Sequence, residues 1–552
     1  GDPVEAVMRA TLADIARASA EVRQLWQRRR AGLPPAPRRV DSRETRLLDR
    51  ATTIPWVDDH ALYPQRPGWP VAADRHPVVP MTMEIMLLVE ATEAALPGMA
   101  VAEVRAIQAY NWLVVAEPVE AEILLKSLDD STVAAEIAGY FRCELVLSDT
   151  PVVAPPTRPA PLARPRAPRI TATALYRDQW MFHGPAYQGV KTLGPMGENG
   201  IAGELVVPEG QGALLDNMGQ LAGYWVMEQP ENCLAMPIGL DRARFFGGQP
   251  LPGEVLTAQV RVRELDALNC VTDHVLTDAQ GRVRVILDGW RTRRYQMDEA
   301  FWLASRQLDR MGVSHVLSGR VALFEDRYDT AILRDYLARR YLAAVEMAVY
   351  EALPPRRRRP WLNGRVAAKD AVRHYLRASR GIDRIHPKEC VIENAENGAP
   401  RVRSNVTDLV PPGLRLSLAH KDGWAVAIVA EAPVGVDLET LAERDPGFGE
   451  FAFAEAELEW LAGEPDAVAW TRGWVAKEVC GKRLETGIGG QLRRLVIEAR
   501  DGDRLCVNGH WVATRRFRDL MLGWSADLDM DDTVAGALAA LASPTQVTGV
   551  PQ

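Results

Sequence analysis

The chain has 552 residues, 47% of them hydrophobic and 25% charged, with a net charge of -8 from 65 basic and 73 acidic side chains. That composition is ordinary for a folded globular protein, and the length calls for three or four domain-sized units. The acidic balance argues against a general nucleic-acid binder, and the longest apolar stretches, such as 81–89, are interrupted by Glu84 and are too short to span a bilayer.

Smaller compositional features narrow the setting. The six cysteines lie far apart with no CxxC pair, against a disulfide scaffold or zinc ribbon and in keeping with a reducing cytosol. No signal-peptide pattern opens the chain, and it begins Gly-Asp-Pro without a methionine, so it reads as a piece of something longer. Arginines number 58 and lysines only 7, five of them between 351 and 500. Lysine is expected there because a compact, flexible ammonium is wanted.

In chain order, residues 4–30 read as an amphipathic helix, with Val7, Met8, Leu12, Ile15, Val22 and Leu25 at helical spacing. Residues 1–42 as a whole belong to a preceding region or linker. A first α+β unit, 43–150, opens its apolar helix Met81–Leu96 at Pro80 and continues in strands near 120–127 and 132–147. Seven prolines between 151 and 168 make a stiff link. A second unit, 169–300, repeats the plan: a strand at 201–207, a helix near 214–228, then strands at 255–265, 270–277 and 282–294. A variable link, 301–319, precedes a last region, 320–545. That region is helical near 331–352 and 362–380, has strands near 414–418 and 425–430, and has a helix holding Trp474–Lys482.

The last region carries the sharpest motifs. In Gly435-Val436-Asp437-Leu438-Glu439, carboxylates at i and i+2 of an extended segment point the same way and suit a hard divalent cation. Later comes Trp474-Val475-Ala476-Lys477-Glu478-Val479-Cys480-Gly481-Lys482, where Glu478 and Lys482 are helical neighbours. A third carboxylate with two lysines suits a metal-bound pyrophosphate. Each motif alone has a bland alternative, a solvated strand end or a surface ion pair.

Together they resemble the phosphopantetheinyl transferases of the surfactin-synthetase type, which carry a (V/I)G(I/V)D motif and a later WxxKExxxK. Further matches occur in order: Arg365–Ala371 with the GR-x-AAK-x-A helix, Asn397–Pro400 with NG-x-P, Ser417–His420 with S-x-(S/A)-H, and Phe453 and Glu457 with F-xxx-E. Ala419 departs from the serine of many relatives. The resemblance implies transfer of the phosphopantetheine arm of coenzyme A to a serine of an apo acyl carrier protein, with Mg²⁺. It implies Asp437, Glu439 and Glu478 as metal ligands and Lys477 and Lys482 as phosphate contacts. Arg365, Lys369 and His420 are the further coenzyme A contacts it implies. Glu457 or Glu478 takes the proton of the attacking serine. The run Arg356–Arg359 is a solvated helix entry or a patch for an acidic carrier.

The first two units carry Asp59-His60 ahead of Pro77–Pro80, and His183-Gly184-Pro185-Ala186-Tyr187-Gln188-Gly189 ahead of Leu215-Asp216-Asn217-Met218-Gly219-Gln220. A helix puts Asp216 and Gln220 on one face. Eliminating water from a 3-hydroxyacyl group needs a base near the α-proton and an acid near the leaving hydroxyl, which His and Asp supply if the fold unites them.

These motifs resemble the double-hotdog dehydratase domain of modular and iterative polyketide synthases, covering about 43–300. Its histidine lies in DH-xxx-G-xxxx-P and its aspartate in D-xxx-Q/H. Here His60 lies 20 residues before Pro80 and His76 only four, so Ala61–Asp74 is largely an insertion. Asp59-His60 copies the family dipeptide and favours His60 over His76. The resemblance implies His60 as base and Asp216 as proton donor, with Gln220 orienting it and a dry tunnel raising the Asp216 pKa. Tyr187 is expected in the acyl tunnel or in the core. His274, His315, His374, His386 and His510 are expected to be structural or exposed.

The two resemblances imply an α+β chain: a double hotdog, then a pseudo-twofold transferase of two subdomains, as at the C-terminal end of a type I polyketide synthase. The expected partners are a carrier domain of the same synthase, coenzyme A and an acyl thioester, with neither nucleic acid nor membrane, and with a homodimer left open. A catalytically dead scaffold and a hotdog thioesterase are the rival readings.

Overall fold

The computed structural model describes residues 39–542, except 157–160, 231, 329, 446 and 489–491. The helix expected at 4–30 lies outside the described residues. No helix among the described residues is long and apolar enough to cross a membrane.

The first region is built on two helices, α1 (Met81–Ala95) and α2 (Ala213–Met227), whose side chains are buried nearly all round, as in a helix wrapped by sheet. The first half supplies β1 (Asp41–Leu48), β2 (Ala100–Ala109), β3 (Val119–Ser127), β4 (Thr132–Ile137) and β5 (Phe141–Ser148). The strand expected over 132–147 is in fact the hairpin β4–β5, because Gly139 turns the chain at φ +79. The second half supplies β6 (Val190–Gly197), β7 (Gly200–Val206), β8 (Cys233–Gly239), β9 (Arg242–Phe245), β10 (Val255–Leu265), β11 (Asn269–Thr277) and β12 (Val283–Gln296).

All twelve strands form one sheet, β1-β3-β4-β5-β2-β9-β12-β11-β10-β7-β6, with β8 on β12. Antiparallel pairing of β2 with β9 (Glu103 opposite Arg244) carries the sheet from one half into the other. α1 lies on the first half of the sheet and α2 on the second, the layout of a double hotdog. The helices meet at their N-terminal ends: Gly212, at φ +75 before α2, is so close to Thr82 and Met83 in the first turn of α1 that a Cβ there would strike their backbone.

The last region is two further helix-on-sheet units. The first has β13 (His315–Ser318), β14 (Val321–Glu325), β15 (Cys390–Asn394), β16 (Pro400–Ser404), β17 (Arg415–Lys421) and β18 (Trp424–Ala430), in the order β13-β14-β18-β17-β16-β15. Helix α3 (Pro355–Arg380) packs on β14, β17 and β18. The second has β19 (Val436–Thr440), β20 (Ile497–Asp501), β21 (Arg504–Val507), β22 (His510–Phe517) and β23 (Leu520–Ser525), in the order β19-β23-β22-β21-β20. Helix α4 (Asp466–Arg483) packs on β19 and β23.

Two expectations change here. The segment 301–319 is not a loose link. Asp298 caps a helix over Glu299–Gln307 by accepting from the Phe301 amide, and Phe301, Leu308 and Val313 enter the core beneath α3. The insertion after His60 is closed at its base by a bridge between Ala61 and Pro77, and its body docks on the last region.

Candidate active sites

His60 ends a short 3-10 turn, Pro55–His60, and is buried. Its Nδ1–H donates to the Val78 carbonyl at 2.9 Å, which leaves Nε2 as the basic nitrogen. Nε2 faces Asp216 Oδ1 at 3.8 Å. Asp216 sits in the first turn of α2, so the approach of α2 to α1 across Gly212 delivers it to the first half. Gln220, one turn on, donates from Nε2 to Asp216 Oδ2 at 2.7 Å and to the Tyr187 carbonyl at 3.0 Å. Its Oε1 accepts from the Tyr176 hydroxyl at 2.8 Å, fixing the amide's orientation.

His183 also reaches Asp216, with Nε2 at 3.0 Å from Oδ2. Among the described residues, His60, His183 and Asp216 form the group whose ring-nitrogen and carboxylate atoms all fall within 4.8 Å of one another. From its motif alone His183 has no assigned role. The signal was a histidine directly ahead of a Gly-Pro turn that the fold aims at α2.

His76 is not part of this group. It holds a left-handed backbone at φ 54 and packs beside Tyr63 and Trp112. Tyr187 is fully buried with its hydroxyl donated to the Gln211 carbonyl at 2.9 Å, so it is a core residue beside His60.

Burial pushes His60 down to about 4; Asp216 pulls it up, and His183 adds to the depression. The expected rise at Asp216 is overturned. Burial does raise its pKa, but His183, His60 and the Gln220 hydrogen bond outweigh burial and hold it below the usual carboxylate value. The first turn of a helix favours the same ionised form.

In the last region, β19 turns Asp437 and Glu439 to one side, and α4 brings Glu478 over them. Gly435 permits this, because a Cβ there would strike the Val479 carbonyl of α4. Asp437 is buried; its Oδ1 accepts from Lys482 Nζ at 2.7 Å and its Oδ2 has no partner among the described residues. Burial raises the pKa of Glu478, and the charges of Asp437 and Glu439 raise it further while Lys482 opposes them. Burial and Glu439 likewise raise Asp437, again against Lys482. Glu439 also pairs with Lys421 at 2.9 Å. The three carboxylates feel one another's charge, a donor set that suits a hard divalent cation, but with Lys482 on Asp437 and Lys421 on Glu439 their oxygens do not all lie within 4.8 Å of one another.

Burial lowers the His420 pKa, and the positive charges of Lys482 and Arg365 lower it further. Arg365 stacks on Trp361 at 4.1 Å and donates to Asn394 Oδ1 at 3.0 Å, and its Nε has no partner among the described residues. Two expected contacts are corrected. Lys369 is wholly buried, paired with Glu346 and donating to the Tyr341 and Pro387 carbonyls. Lys477 is one position, roughly 100°, round α4 from Glu478 and points into the core. There it pairs with Glu457 Oε1 at 2.8 Å and donates to the Ala452 carbonyl. Neither reaches the basic edge. Glu457 is equally spent: Oε2 accepts from the Ala454 amide and Oε1 from the Ile497 amide, so it is no free base.

Comparisons with known proteins agree with this division. Residues 153–300 match the family model described as the polyketide synthase dehydratase N-terminal domain, a stretch that holds His183, Asp216 and Gln220 but not His60. A holo-[acyl-carrier-protein] synthase of Onion yellows phytoplasma (strain OY-M) is 30% identical over 112 residues, 20% of this chain and 88% of that protein. The chain belongs to the phosphopantetheinyl transferase family. It combines transferase sequence with a polyketide synthase dehydratase domain.

A second relative of the transferase, the 4'-phosphopantetheinyl transferase psf-1 of Bacillus pumilus, is 28% identical over 115 residues. The match covers 20% of this chain and 47% of that protein, so the chain spans about half of that relative. Solved structures that resemble the chain include the dehydratase domain from the CurJ module of curacin polyketide synthase. It has 16% identity and a TM-score of 0.36, covering 48% of this chain and 93% of that one. A bifunctional dehydratase-cyclase domain in ambruticin biosynthesis has 20% identity and a TM-score of 0.33, covering 46% and 92%.

Proposed function

We propose that the chain removes water from 3-hydroxyacyl thioesters and also loads 4'-phosphopantetheine from coenzyme A onto a serine of an apo acyl carrier protein. The units are 43–300 for dehydration and 320–545 for transfer, with 301–319 packed into the latter.

The dehydratase reading is supported by one juxtaposition. A neutral His60 Nε2 from the first half faces Asp216 from the second across 3.8 Å in a buried site. His60 takes the α-proton, and Asp216 faces the β-oxygen that leaves as water. Gln220 holds the carboxylate in place.

The transferase reading is supported by the mutual charge influence of Asp437, Glu439 and Glu478, with Lys482 bonded to Asp437 and acting together with Arg365 on His420. Mg²⁺ held by the three carboxylates would neutralise charge on the coenzyme A pyrophosphate. Arg365 and Lys482 bind phosphate oxygens, and His420 adds a contact beside them. With Glu457 spent on Lys477, Glu478 is the glutamate left to accept the serine proton. We assign the protein to the cytosol, where its six buried thiols stay reduced, and take a carrier domain of the same synthase as partner.

Mass spectrometry tests both activities. Apo carrier protein incubated with this chain, coenzyme A and Mg²⁺ should gain the arm, and a 3-hydroxyacyl group on that arm should then lose water. Absence of the first gain removes the transferase reading. Release of free acid in place of alkene replaces the dehydratase with a thioesterase.

A further inference from the structure

The two oxygens of Asp216 have unlike surroundings. Oδ2 is held by His183 Nε2 at 3.0 Å and by Gln220 Nε2 at 2.7 Å. Oδ1 faces His60 Nε2 and is the oxygen turned toward the base. Gln220 already holds the carboxylate from the next helical turn, and His183 is a second donor on the same oxygen. That donor is an imidazole more than nine-tenths buried, at 7% exposure, and stacked on Phe182 with ring centroids 4.1 Å apart. Its Nδ1 is buried and has no partner among the described residues. Meanwhile Asp216 is held ionised, and an ionised carboxylate has no proton of its own to give.

We propose that His183 stores the proton that departs with the β-hydroxyl and passes it through the Asp216 carboxyl to the leaving oxygen. The proposal rests on the dehydratase reading above. His183 starts as the imidazolium, its charge balanced by Asp216. His60 Nε2 takes the α-proton, the C–H electron pair becomes the new C=C bond, and the C–O pair leaves on oxygen. The His183 proton crosses Asp216 to that oxygen and water departs. His60 is then the imidazolium and His183 is neutral. His60 faces Asp216 Oδ1, while His183 holds Oδ2, so the proton returns through the same carboxyl and the cycle closes with no outside acid.

The ionisable groups around this relay are His60 and Asp59 from the first half and Asp216, Tyr187 and Tyr176 from the second. Asp59 accepts from the Ala186 amide at 2.8 Å, Tyr187 is spent on the Gln211 carbonyl, and Tyr176 on Gln220. That leaves the two imidazoles and the carboxylate to carry the proton.

The test is steady-state dehydration of a 3-hydroxyacyl pantetheine thioester by the full chain, comparing wild type with His183→Gln. Glutamine keeps an N–H for Asp216 and cannot store a proton. A proton-storing role predicts a fall in kcat of about 100-fold or more, little change in KM, and loss of the decline in kcat toward alkaline pH. Wild-type kcat with an unchanged pH profile overturns the proposal and leaves His183 a hydrogen-bond donor only. A wild-type chain that forms no alkene removes the dehydratase reading itself, a different failure. The melting transition of the full chain reports folding. If His183→Gln loses it, His183→Asn takes its place with the same two readings.

Discussion

Lys388 donates from its ammonium to the backbone carbonyl of Asp74, joining segments 314 residues apart in the chain. The Asp74 carboxylate in turn accepts from Trp69 Nε1 at 3.0 Å and from the Ala344 amide at 2.6 Å. Lys388 also lies 5.3 Å from the Tyr63 ring, and Arg66 meets Glu389 at 3.9 Å. The insertion after His60 thus fastens the dehydratase half to the transferase half.

This joint carries a pH signature. Burial pushes the Lys388 ammonium down to about 7, with Lys369, Arg340 and Arg339 adding repulsion and Asp74 opposing them. An unfolded chain keeps that proton to about 10.4. Between the two values the unfolded state binds more protons, so this group's contribution makes stability rise with pH, by at most about 1.4 kcal/mol per unit. Melting curves at pH 7 and about 8.5 should show a smaller rise for Lys388→Met than for wild type. Equal rises would mean that the ammonium is solvated.

Dehydration should depend on His60 and Asp216 and not on His76. His60→Ala and Asp216→Ala should each lower alkene formation by at least about 100-fold while carrier loading persists. His76→Ala should leave dehydration intact, since its ring lies beside Tyr63 and Trp112. Loss of alkene in His76→Ala with retention in His60→Ala would reverse the assignment.

The acid limb of dehydration should be displaced. A base must be neutral to accept the α-proton, and burial pushes His60 down to about 4. Activity is therefore held as pH falls through 6.5, the ordinary histidine value, and is lost only on approaching about 4. A kcat/KM profile that falls near 6.5 would place the base elsewhere.

Asp437→Asn should abolish carrier loading, because it removes the charge beside the orphaned Oδ2 on which a hard cation depends. Chelator should do the same to wild type. Full activity of either would sink the metal assignment.

Lys477→Ala should act on stability. Its partner Glu457 would be left as an uncompensated buried charge, a loss of about 3–5 kcal/mol. Arg365→Ala should raise KM for coenzyme A about tenfold or more. A Lys477→Ala protein with wild-type melting and a raised KM for coenzyme A would return Lys477 to the phosphate site.

The α+β class, the two hotdog helices and the pairs that are close in chain were legible in the residues. Met81–Ala95 and Ala213–Met227 were readable from their apolar runs. Asp437 with Glu439, and Asp216 with Gln220, come from backbone period alone, since i+2 on a strand and i+4 on a helix leave no choice of face. Only the tertiary structure decided which groups meet across the chain, and with what charge. Lys477 and Glu478 are adjacent letters, yet helical rotation sends one to the core and the other to the metal-type cluster. His183 acquired a partner only when α2 was carried against α1 at Gly212. The direction of the Asp216 pKa turned on that same packing, because burial alone raises a carboxyl and the two imidazoles that lower it come from distant segments.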